Sequence, residues 1–148
     1  MWKKLINTEN DIATMVLRVM LGIVFFPHGA QKVLGWFGGY GFSGTYGMFT
    51  EKMGIPGIFA ILAIATEFLG SLGLIVGLST RVAAFGIFCV MAVAVKMLHW
   101  QHGFFMNWFG QQKGEGFEYH LLVMAIAVAL MIRGAGAYSV DRMLSEKK

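Results

Sequence analysis

Apolar residues run without alternation through four stretches of this chain, at about 12–36, 56–78, 82–100 and 117–133. Each is near the ~20 residues that carry a helix across a ~30 Å hydrocarbon core. Continuous apolarity predicts helices; a barrel strand would alternate between its two faces. "GLST", followed by Arg81, is a tight link between the second and third runs. The connections "FGGYGFSGTYGMFTEKMGI" and "QHGFFMNWFGQQKGEG" are longer, Gly-rich and aromatic, and the sequence closes in a polar tail, "YSVDRMLSEKK". No internal repeat or Pro/Ser-rich linker divides the sequence. The pattern predicts an all-α polytopic membrane protein: one domain over 1–148, a four-transmembrane-helix antiparallel bundle.

Composition selects the solvent. Hydrophobic residues make up 57% of the chain, above the roughly 45–50% of soluble domains. Charged residues, at 14%, are too few to coat a soluble domain of this length, so the lipid bilayer is the expected partner of the surface. The net charge of +4 does not point to nucleic acid, because the bases sit mostly at the ends of apolar runs. Lys3, Lys4, Arg81, Arg133, Arg142, Lys147 and Lys148 fall on one side. Lys52 and Lys113 fall on the other, with Lys32 and Lys96 near that border. The positive-inside rule then predicts cytoplasmic N and C termini and outward-facing long loops. Trp36, Trp100 and Trp108 mark the outer border and Trp2 the inner one. The first run follows Lys3 and Lys4 as a signal peptide would. It carries Arg18 early and ends in "FFPHGAQKVLGWF", with no small-residue cleavage site, so an uncleaved helix is predicted. Cys89 is a lone cysteine, which provides neither an internal disulfide nor a CxxC redox pair.

The ionisable residues inside the runs are the candidates for chemistry. Glu67 lies eleven residues after Pro56, roughly 16 Å deep at the helical rise. An unpaired carboxylate there costs several kcal/mol, so it must be protonated, paired or beside a cavity. Arg18, entering from the opposite face, reaches a similar height, and an Arg18–Glu67 pair across antiparallel helices is predicted. Such a pair either fixes helix register or handles protons. A second set gathers at the outer end: His28 and Lys32 four apart, Lys96 and His99 three apart, then His102, and Glu118 with His120 in "GFEYHLL". Glu118 and His120 point to different faces. The set reads either as span-end side chains reaching headgroups or as a polar pocket. No HxxxH or HxH is present, so no metal site is expected; haem would need a facing His pair. Gly70, Gly73 and Gly77 form a small-residue stripe suited to close helix packing.

Together "LRVMLGIVFFPHGAQKVLGWFGG", "ATEFLGSLGLIVGLSTRVAA", the His-then-"GFF" stretch, "GFEYHLL" and "GAGAYSVDRML" make the chain resemble the DoxX/DoxD-like family of small bacterial membrane proteins. The matching positions are Arg18, His28, Gly29, Lys32, Glu67, Gly77, Arg81, Glu118, His120, Ser139 and Asp141; Lys96 falls outside the pattern. The resemblance implies a four-helix bundle in the bacterial inner membrane. Some relatives are subunits of a thiosulfate:quinone oxidoreductase and others are linked to redox stress. It therefore implies a redox accessory or quinone-reactive subunit that works with a redox partner protein. On this reading Glu67 and Arg18 are catalytic, moving protons, while His28, Lys32, His99, Glu118 and His120 bind quinone. Haem or metal is a weaker expectation. A scaffold that recruits a soluble partner through the outer loops, and a small-molecule or ion carrier acting as a homodimer, are the alternatives.

Overall fold

The computed structural model describes residues 5–146. Trp2, Lys3, Lys4, Lys147 and Lys148, which carry part of the orientation argument, lie outside the described residues. Among those described, the chain is helical with no strand. Three helices are long and apolar enough to span a bilayer: α1 (Ile12–Val33), α3 (Gly57–Val76) and α4 (Thr80–His102). The fourth apolar run gives α5 (Glu118–Arg133), 16 residues long. At 1.5 Å per residue α5 covers about 24 Å, less than the hydrocarbon thickness. Four apolar helices thus make the bundle, three of them full-length. The first long connection was expected as a loop. It contains α2 (Gly41–Gly47), which runs into a π turn at Met48–Lys52. A short helix, α6 (Val140–Glu146), follows α5.

Local chemistry sets the helix limits. Asp11 caps α1, accepting from Ala13 N (3.2 Å) and Thr14 N (3.1 Å). The Thr14 hydroxyl also donates to it, and these bonds hold the Asp11 carboxyl below its ordinary pKa. Gly35, at φ +72°, turns the chain after α1. The chain then folds back so closely that a Cβ at Gly39 would lie 2.2 Å from Gln31 O. Pro56 opens α3, and Gly77, at φ +74°, ends it with Leu78 N bonded to Gly73 O (2.8 Å). This left-handed cap is the usual helix stop for glycine.

α1 and α3 are antiparallel. Gly22 meets Ser71 and Ile75, while Gly29 meets Glu67 and Phe68; a Cβ at Gly29 would sit 2.5 Å from Glu67 O. α4 and α5 are antiparallel as well, with Arg81 beside Met131 and His99 beside His120. Leu21, Phe25, Leu74, Ala84, Ile87, Met91, Val123, Ala127 and Leu130 interlock at the centre. The expected glycine stripe is not what brings the helices together. Gly77 is a cap and Gly70 stands in ordinary contact with Ala83, whereas the close crossings fall at Gly22, Gly29 and Gly86.

Two spans contain a π turn, Thr66–Gly70 in α3 and Val95–His99 in α4. These turns hold Glu67, Lys96 and His99. π bulges inside α-helices concentrate at functional sites.

Candidate functional site

The first and last described residues and the Gly77–Thr80 link gather at one end of the bundle, here the terminal end; the two long connections form the loop end. Arg18 belongs wholly to the terminal end. Its buried guanidinium donates to five carbonyls: Ala135 (2.8 Å), Leu74 (2.6 Å), Ile75 (2.8 Å), Ala137 (3.3 Å) and Tyr138 (3.2 Å). These carbonyls come from the last turn of α3 and the segment joining α5 to α6, where no further helical turn supplies an N–H to them. The predicted Arg18–Glu67 pair therefore does not form. Counting depth from the ends of the apolar runs misjudged the offset between α1 and α3, which sets Arg18 level with Leu74 and Gly29 level with Glu67.

Other family-matching residues do similar work. Arg81 closes the end of α5 through Met131 O (2.9 Å) and Ile132 O (3.1 Å), and reaches Leu5 O (3.0 Å) and Asn7 O (2.5 Å). Asp141 accepts from Ser79 N (2.7 Å) and Thr80 N (2.9 Å), capping α4 from a distant part of the chain. Gly77 has no room for a side chain, since a Cβ there would lie 2.4 Å from Ser139 Cβ. Arg18, Gly77, Arg81, Ser139 and Asp141 thus form one structural knot that serves helix ends.

Glu67 instead pairs with Lys32, with Nζ and Oε2 2.6 Å apart. The carboxylate side chain is 6% exposed and the lysine 20%. Gly29 permits the pair by letting α1 approach the π turn of Glu67. Lys32 descends about one turn from the end of α1 to reach it, as a long side chain does when it seeks a charge below the interface. His28 lies one turn before Lys32, beside Phe25, and is exposed.

The second cluster pairs His99 with His120, their ring centroids 4.0 Å apart at 43°. His99 Nδ1 lies 2.8 Å from Glu115 O, which fixes a proton on that nitrogen because a carbonyl only accepts. His99 Nε2 is then left as an acceptor when the ring is neutral. His120 is buried, and its Nδ1 has no hydrogen-bond partner. A buried polar atom without a partner is rare and points to a role beyond packing.

The remaining predicted site residues separate. Glu118 faces the loop, where Oε1 accepts from Met106 N (2.9 Å) and Trp108 Nε1 (3.4 Å). Lys96 is exposed on the π turn of α4. The loop end therefore holds two compact pairs, Lys32–Glu67 and His99–His120. Glu118 stands on a different face of α5 from His120, as the sequence indicated. Among the described residues no group of three or more His, Cys, Asp or Glu side chains is placed to hold a metal ion.

Comparison of the sequence with known proteins identifies relatives. A sequence model described as DoxX matches residues 13–100, and one described as "TQO small subunit DoxD" matches residues 57–148. The "Inner membrane protein YqjF" of Escherichia coli (strain K12) is 29% identical over 93% of this chain and 95% of its own length. The "Putative oxidoreductase CatD" of Bacillus subtilis (strain 168) is 30% identical over 84% of this chain and 82% of its own. The "Uncharacterized membrane protein Rv3486" of Mycobacterium tuberculosis is 29% identical over 99% of this chain and 90% of its own. No solved structure matches the chain. An all-helical multi-pass membrane protein matched by both models over most of its length, this chain belongs to the DoxX family.

Proposed function

We propose that this protein is a redox accessory subunit of the bacterial inner membrane, reacting with quinone at the loop end of the bundle. Its termini face the cytoplasm on this reading, following the distribution of basic residues. The observation that carries the proposal is the buried, unpartnered His120 Nδ1 beside His99. A quinone offers carbonyl oxygens that need a donor, and a neutral His120 with its proton on Nδ1 supplies one. Bound quinone takes up two electrons and two protons. Half-buried Lys32 and buried Glu67 hold a proton between an ammonium and a carboxylate within the same end of the bundle, and exposed His28 gives that pair a titratable neighbour. Arg18 and Glu118 are assigned to structure, holding carbonyls and loop amides respectively.

Electrons must come from a partner protein, since the sequence has one cysteine and no cofactor fingerprint. The likeness to a TQO small subunit and the name carried by CatD support a redox assembly. The test is extraction of protein purified gently from its native membrane. Quinone should co-purify near one per chain, and His99→Ala or His120→Ala should deplete it. Equal retention by wild type and both variants, or no quinone from any of them, would sink the reading in favour of a scaffold that recruits its partner without binding quinone.

A further inference from the structure

The connection between α4 and α5 is built in a way that a loop in water does not require. From Gly103 to Gln112 it carries no Asp, Glu, Lys or Arg. Its large side chains turn outward: Phe105 is 68% exposed, Trp108 79% and Phe109 87%. Its backbone is bonded from within in part, while the amides of Phe105, Trp108 and Phe109 find no partner among the described residues. Phe117 N donates to Gly103 O (3.2 Å), Glu118 N to Phe104 O (2.9 Å) and Gly110 N to Asn107 O (3.1 Å). Glu118 receives Met106 N, and Glu115 receives Asn107 N (2.8 Å). Asn107 and Gln112 exchange two further bonds, at 2.9 and 3.1 Å. Free amides beside exposed aromatic rings suit the headgroup region, which holds water and phosphate acceptors, and not the hydrocarbon core, where every backbone group needs a partner inside the protein.

A second observation comes from length. α5 begins only at Glu118 and falls about 6 Å short of a full crossing. Something apolar must cover that shortfall, or the leaflet must thin around it. The 103–112 segment is attached there, its aromatic edge facing away from the bundle.

We infer that residues 103–112 form a wedge seated in the bilayer interface, and that lipid of the loop-end leaflet covers their aromatic surface. Tryptophan and phenylalanine suit this depth, where the indole N–H retains a polar partner while the rings enter the acyl region. Here the partner is Glu118, so the acid that orders the loop also receives the indole N–H. Behind the wedge lies an open groove of about 470 Å³, its walls Phe104, Met106, Trp108, Tyr119, Leu121 and Leu122, with Glu118 the one carboxylate on it. An acyl chain entering sideways fills that groove. The inference is independent of quinone binding, since it concerns the face of α5 away from His120.

A variant with Trp2, Trp36 and Trp100 changed to Phe leaves Trp108 as the sole indole. It is to be reconstituted in vesicles of phosphatidylethanolamine and phosphatidylglycerol, with bromine placed near the glycerol end or near the methyl end of the chains. Bromine near the glycerol end should lower Trp108 emission about twofold, and more than bromine near the methyl end. Acrylamide in the water should quench several-fold less than it quenches free tryptophan. Should that variant fail to fold, a nitroxide on Phe109→Cys in a Cys89→Ser background replaces it, with all tryptophans native. Dissolved oxygen should then relax the nitroxide more than an aqueous nickel chelate does. Free access of acrylamide or nickel with no bromine or oxygen preference would overturn the inference and make the aromatic edge a water-facing surface for a protein partner.

Discussion

Lys32 and Glu67 close a 2.6 Å ion pair where α1 and α3 cross at Gly29. Removing one member of a buried pair leaves an uncompensated charge and costs on the order of 3–5 kcal/mol, whereas removing both is often mild. Lys32→Leu and Glu67→Leu should each reduce the yield of folded protein in detergent, and the double variant should recover most of it. Additive losses in a double-mutant cycle would show that the two are not coupled.

Arg18 should behave differently. Arg18→Lys keeps the charge but replaces a planar fork with a single point, leaving several of five carbonyls without a donor. At about 1.5–3 kcal/mol for each charge-assisted bond, the loss rivals the whole stability of a small domain. Little monodisperse protein is expected, and adding Glu67→Leu should not restore it. Asp141→Ala removes a helix cap worth about 0.5–2 kcal/mol and should only lower the melting temperature. Recovery ranked the other way would remove Arg18 from the centre of the terminal knot.

His120 sets stability against function. A buried unpaired nitrogen costs about 1–3 kcal/mol, which an apolar group of similar shape does not incur. His120→Leu is therefore expected to melt at the wild-type temperature or above it, while quinone retention falls roughly tenfold, as the loss of a ~1.4 kcal/mol contact implies. A strongly destabilised variant would mean that His120 is a packing residue.

Orientation is tested with cysteines in a Cys89→Ser background. Ser43, exposed in α2, should react on intact cells with an impermeant maleimide once changed to cysteine, and Ser145 should react only after lysis. The opposite pattern would turn the loop end, with both of its pairs, toward the cytoplasm.

The cap of α1 gives a pH dependence. The folded Asp11 carboxyl lies below its ordinary pKa because Thr14 and Ala13 donate to it. Its contribution is complete above the unfolded value of about 3.9 and is lost as pH falls through the lower folded value. Amide exchange at Ala13 and Thr14 should accelerate in that acid window in wild type, whereas Asp11→Asn, which caps without titrating, should show no such step.

The spans were legible because each is a long, predominantly apolar run, and the nearness of His99 to His120 followed from antiparallel helices. Partner choice was less legible. Arg18 binds backbone carbonyls, which every residue has and which leave no signature in sequence. Glu67 found Lys32 because α1 is offset against α3, a displacement set by packing at Gly22 and Gly29. The apolar count does not reveal that offset. α2 was hidden because its glycines read as a loop, and α5 read longer than it is because Phe117 continues the apolar run without being helical.

A π turn contains one residue more than the α-helical turn it replaces. Lysine and glutamate in α1 and α3 are therefore matched only while that extra residue in Thr66–Gly70 is kept. Deleting Thr66 would shorten α3 by one position and swing the segment Gly57–Ala65 by about 100° relative to Ser71–Val76. The surface that Ile58, Phe59 and Leu62 now present to lipid would rotate toward the neighbouring helices. Substitutions at Thr66 can be absorbed locally, but a change in the length of this turn alters the register of the whole upper half of the helix. Lineages descended from a common DoxX ancestor should therefore tolerate exchange at this turn far more readily than insertion or deletion.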